Sequence, residues 1–115
     1  MAVNSALVER ARTAATHEAI RRGFEIREKN MFGGLAFMLN GHMFTGIVGD
    51  ELMLRLGEAG AEAALSREHV REMDFTGRPM KAMVFIEPAG LQGRALNDWV
   101  TSAAAFALTL PPKPD

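Results

Sequence analysis

The chain has no cysteine among its 115 residues, which excludes disulfides, thiolate zinc sites and cysteine nucleophiles together and fits a reducing cytoplasm. It has no uninterrupted apolar run of the roughly 18 residues that a membrane span requires. The opening "MAVNSALVERARTAATHEAIRRG" breaks every apolar stretch with charges, so no secretory leader is expected and a cytoplasmic location is. Excess charge of one sign is also missing: 13 basic and 14 acidic side chains leave a net charge of -1. No global field would draw such a chain onto DNA, RNA or anionic lipid, so neither nucleic acid nor membrane is expected as a partner.

Catalytic signatures are equally scarce. The chain carries no G-x-S-x-G, no phosphate loop ending in Gly-Lys-Ser/Thr and no G-x-G-x-x-G at a strand-to-helix turn. "GHMFTG" has the glycines of a phosphate loop but no lysine, and it falls in an expected strand. His17, His42 and His69 lie far apart, with no i, i+3 or i+4 pair to converge on an ion, so no metal and no cofactor is expected. Asp50 and Glu51 read as turn residues rather than an acid/base pair, because a tight turn rarely supplies burial.

What is present is a composition of 48% apolar and 23% charged residues, ordinary for one globular domain over residues 1–115. Over residues 4–22, Leu7, Val8, Ala11, Ala14, Ala15 and Ile20 recur at helical spacing, with Glu9, Arg10, Arg12 and Glu18 read on the other side. Asn4 or Ser5 can cap this helix and Gly23 can end it. After "FEIREK", read as a charged connector, Asn40-Gly41 and Gly49-Asp50 are two-residue hairpin turns. They predict a three-stranded meander over residues 31–39, 42–48 and 51–56.

With both loops two residues long, Leu39 would pair with His42, Phe37 with Phe44 and Val48 with Glu51. One face then gathers Ala36, Met38, Met43, Thr45, Ile47, Leu52 and Leu54 as core. The other gathers Gly33, Leu35, Phe37, Phe44, Gly46, Met53 and Arg55, apolar in its middle and unlike a sheet open to water. A helix, a second subunit or a ligand should cover that second face, and a bulge after either turn would invert the assignment. Gly33 and Gly46 would leave a shallow hollow in it.

Residues 58–66 read as a short helix, "HVREMDF" and "MKAMVFIEP" as two more strands joined by "TGRP", and Leu96, Trp99, Val100, Ala103, Phe106, Ala107 and Leu110 as the stripe of a last helix. Residues 110–115 are expected to fray. The order is α-β-β-β-α-β-β-α, an α+β class with an antiparallel sheet and flanking helices. Seven internal methionines are read mainly as strand core, although methionine also lines adaptable binding surfaces. Arg55, Arg78 and Lys81 form the polar group most suited to an anion or a partner.

Taken as a set, "KNMFGGLAFMLNGHMFTGIVGDELMLRLG", "HVREMDFTGRPMKAMVFIEPAGL" and "LNDWVTSAAAFALTLPPK" resemble the N-terminal domain of the TfoX/Sxy family of bacterial competence regulators. The resemblance implies an α+β domain similar to secretion-chaperone-like folds and a non-enzymatic regulatory role. It implies a protein partner, in competence regulators the cyclic-AMP receptor protein, and no catalytic residues. Competence regulators of this family carry a second helical domain, and this chain is expected to be a stand-alone copy without it. The doubly apolar sheet suggests a homodimer. A small-molecule or anion-binding module with weak activity is the alternative.

Overall fold

Asn4 starts the first helix by accepting the Leu7 amide on its side-chain oxygen at 3.1 Å. The structure, a computed structural model, describes residues 4–75 and 77–113, with Phe75, Arg78 and Pro79 described by backbone alone. Helix α1 (Ser5–Arg22) ends at Gly23, whose φ of 83° lets its amide reach back to the last carbonyls. The buried stripe is Leu7, Val8, Ala11, Ala14, Ala15, Glu18 and Ala19, whereas Ile20 stands 73% exposed. This corrects the sequence expectation for the last turn. Glu18 lies seven residues after Ala11 and so on the same stripe, and Ile20 falls roughly 200° around the helix from Glu18.

Six antiparallel strands follow, β1 (Arg27–Met31), β2 (Gly34–Leu39), β3 (His42–Val48), β4 (Glu51–Arg55), β5 (Val70–Phe75) and β6 (Arg78–Ile86), arranged β1-β2-β3-β4-β6-β5. Helix α2 (Gly57–Ala64) joins β4 to β5, and a 3₁₀ turn (Pro88–Leu91) leads from β6 to α3 (Ala95–Ala107). The α+β class and the order of elements are as expected, with one strand more. "FEIREK" is not wholly a connector: its end forms β1, which turns back at Phe32-Gly33 with φ values of 57° and 75°. Positive φ at both central residues is the type I′ geometry seen again at Asn40-Gly41, with 54° and 86°. Phenylalanine gives no turn signal, which is why this hairpin escaped the sequence reading.

The Gly49-Asp50 turn sets Val48 against Glu51 as expected. The β2–β3 ladder does not keep the expected register: Leu39 faces His42 and Met38 faces Met43, but Phe37 faces Thr45, leaving Phe44 as the extra residue of a bulge. One inserted residue rotates the rest of the strand to the other face. Leu35, Phe37 and Phe44 therefore do not belong to the second face; they pack with Ile47, Leu52, Leu54, Val84 and Ile86 beneath the helices. Ala36, Met38 and Met43, expected in that core, lie on the opposite side.

All three helices cover the first face, contributing Ala11, Ala61, Val100 and Ala104 among others to one continuous core. Gly57 starts α2 at φ 78° with the Phe106 ring so close that a Cβ would meet it at 2.5 Å. Residues expected to fray lie against the β2–β3 hairpin as far as Lys113, whose amide donates to Asn40 O at 3.2 Å. The ring Nε2–H of His42 donates to Pro111 O at 2.6 Å. Pro114 and Asp115 lie outside the described residues.

Candidate functional site: a methionine groove on the open sheet face

The face away from the helices holds every internal methionine. Met43, Met53, Met73 and Met83 are buried there with Ala36 and Phe85, and Met31, Phe32, Met38, Val48, Met80 and Ala82 pack against them. No helical residue belongs to this layer. Among the described residues, side chains of the sheet and of the Phe32 turn make up this layer, and Glu58 of α2 and Lys113 join them only in lining the groove beside it. Strand twist and the two ladder irregularities, at Phe44 and around Met73, bend the sheet so that flexible thioethers close over one another.

The irregularity at Met73 shapes the site. Glu72 pairs with Val84 and Asp74 with Pro79, so β6 sets Met80, Lys81, Ala82 and Met83 against Met73 alone. This arch forms one wall of a groove of about 520 Å³, floored by Met31, Phe32, Met38, Met43, Met80 and Met83. Strand alternation brings Lys29 to the same side, because it faces Ala36 across the β1–β2 ladder. Arg55, opposite Met83, ends β4 on that side too. Lys29, Arg55, Lys81 and Lys113 line the groove with His42, and among the described residues Glu58 is the one carboxylate in its lining.

Among the described residues none of these four cations is held in an ion pair. Several other basic side chains are committed. Arg12 bridges Glu9 and Glu28, Arg21 and Arg22 converge on Glu18, and Arg71 pairs with Glu51 while stacking 4.6 Å from the Phe85 ring centre. The hydrogen bond to Glu51 holds Arg71 firmly protonated, above its ordinary range. The groove thus couples an apolar adaptable floor to a rim of uncommitted positive charge.

Of the residues singled out from sequence, Arg55 and Lys81 meet at this groove and Met53 lies in the layer beneath it. The Arg78 side chain lies outside the described residues. Gly33 sits in the β1–β2 turn with open space around it. Gly46 does border the methionine layer, yet no hollow exists there: a Cβ on it would meet Met53 Cε at 2.7 Å and Leu35 O at 2.5 Å. Lys29 and Lys113 were missed. Lys29 alternates in step with Met31, a readable signal once β1 is recognised, but nothing local announces that Lys113 returns to the hairpin.

Among the described residues no three histidine, aspartate or glutamate side chains gather to hold a metal ion, and no helix is long and apolar enough to cross a membrane. Comparison with known families finds the TfoX N-terminal domain over residues 18–107. The chain belongs to this family. The match spans the end of α1, the whole sheet and α3 up to Ala107, so the groove's strand residues all lie within the TfoX N-terminal domain proper, and Lys113 lies beyond it. Membership points to a regulator-like domain. No curated protein and no solved structure matches the chain significantly.

Proposed function

We propose that this TfoX N-terminal domain is a non-enzymatic regulatory module that acts in the cytoplasm by docking a protein partner on the open face of its sheet. The observation that carries this reading is the methionine-floored groove with four uncommitted cations, on the sheet face opposite the one against which the helices bury their apolar sides. Methionine-rich surfaces adapt to a partner's side chains at little cost in strain. A transcription regulator is a fitting partner class, given the family. Site-specific photo-crosslinking in the native cell tests the reading. A crosslinker at Lys81 should trap a protein adduct, whereas one at Asn97, exposed on α3, should not. Equal adducts from both positions, or none from Lys81, would remove it.

A second reading is favoured by the groove's volume, which falls within the roughly 300–1,000 Å³ range of small-ligand sites. On it, the same cations bind an anionic metabolite. A ligand at about a hundredfold excess over its Kd adds about 2.7 kcal/mol of stability, so a thermal-shift screen of nucleotides and carboxylates discriminates the two.

A further inference from the structure

We infer that the groove's partner element is an acidic amphipathic helix laid across the strands, its apolar side on the methionines and its carboxylates on the rim. This rests on the reading of the open face as the docking surface. The cations are spread across the width of the sheet. Lys29 stands on β1, Arg55 on β4 and Lys81 on β6, three and four strand steps from β1, or about 14 and 19 Å measured along the sheet. Lys113 adds a charge beside the β2–β3 hairpin. A single phosphate or carboxylate spans only a few ångströms and would leave most of these charges unanswered. An elongated ligand with several acidic groups answers them all.

The floor selects the conformation. Backbone hydrogen bonds of a sheet lie in its plane, so the face offers a visiting chain only side chains. An extended peptide on this face would surrender its own amides' water without replacing it, whereas a helix satisfies its backbone internally. A helix of about 13 residues is about 19 Å long, the span from Lys29 to Lys81. Met31, Met38, Met43 and Met80 present unbranched thioethers that can close around anchors at three- and four-residue spacing. The opposite polarity, a basic helix, meets four like charges against Glu58 alone among the described lining residues. A soft cation bound by the thioethers is disfavoured by the same rim.

The probe is a fluorescent synthetic helix of about 15 residues with leucines at helical spacing and glutamates flanking them, paired with a version carrying lysine for each glutamate. Fluorescence anisotropy with the full chain should give saturable binding of the glutamate peptide, weakening at least about tenfold when salt rises from about 0.05 to 0.5 M, and none of the lysine peptide. Lys29→Glu combined with Lys81→Glu, both exposed and therefore tolerant of change, should weaken it about tenfold or more with unchanged circular dichroism. Met38→Gln should weaken it without altering the salt dependence.

Equal binding of both peptides, or indifference to the charge reversals, overturns the proposal. So does displacement of the peptide by millimolar inorganic phosphate, which identifies a small-anion site, or a dimer by light scattering that the peptide fails to dissociate, which identifies a second copy as occupant. If Lys81 yields a crosslinked protein in the cell while the acidic peptide does not bind, the docking reading stands and the helix is refuted; if both fail, both fall.

Discussion

The Thr101 hydroxyl on α3 donates to Glu18 Oε2 on α1 at 2.8 Å, and Arg21 and Arg22 donate to Oε1 of the same carboxylate at 2.9 and 3.0 Å. Glu18 is 5% exposed, so this bond ties the two main helices together at a buried charge. Burial pushes its carboxyl upward, but the bonds from Thr101, Arg21 and Arg22 outweigh that and hold it below the usual value of 4.5. A carboxyl depressed in the folded state stabilises fully above its unfolded value and loses that contribution as pH falls through the folded one. Urea melts should therefore show stability falling below about pH 4.5, and Glu18→Gln should flatten that fall. Thr101→Val should cost about 1–3 kcal/mol at neutral pH by leaving one oxygen unpaired.

Adjacent glycines in "MFGG" should respond differently to alanine. Gly34 has Ile47 O at 2.0 Å from a would-be Cβ, backbone that cannot yield without parting β2 from β3. Gly34→Ala should cost more than about 3 kcal/mol, near the exceptional end of single substitutions. Gly33→Ala meets open space and costs only the strain of φ +75°, about 1–2 kcal/mol. Thermal or urea denaturation of the two variants compares them directly.

Thioether oxidation should follow exposure. Met31, Met38 and Met80 are half-buried at the groove, while Met53 and Met73 are fully buried. Under limiting hydrogen peroxide, peptide mass spectrometry should find sulfoxide first at the former three. Early oxidation of Met53 or Met73 would contradict the closed methionine layer.

The link between α1 and the edge strand β1 is a surface ion pair. Arg12 Nε lies 2.6 Å from Glu28 Oε2 with both side chains about one-third exposed. Glu28→Gln should therefore cost less than about 1 kcal/mol, and the cost should shrink in high salt. Paired urea titrations at two salt concentrations measure it.

Much of this architecture is written locally. Asn4 and Gly23 bound the first helix, and Asn40-Gly41 and Gly49-Asp50 place two hairpins, because capping and positive φ are demands that a few side chains meet alone. The "MFGG" hairpin was hidden because Phe32 takes a left-handed conformation that bulky residues rarely adopt, held there by the methionine layer it packs against. The candidate site was half legible: Arg55 stood out as a cation ending a strand and Lys81 as one beside the expected "TGRP" turn, and Lys29 did not because its strand went unread.

By itself, then, the sequence determined the α+β class, the order of elements, two of the turns and the absence of thiol chemistry, all properties of short windows. Which face of the sheet meets the helices was decided only in three dimensions. Both faces are apolar, so alternation carries no preference between them, and the single extra residue at Phe44 reverses the outcome through pairing with a strand that local pattern does not constrain. The same holds for the groove, whose cations come from β1, β4, β6 and the chain beyond α3, positions that only the folded sheet brings to one rim.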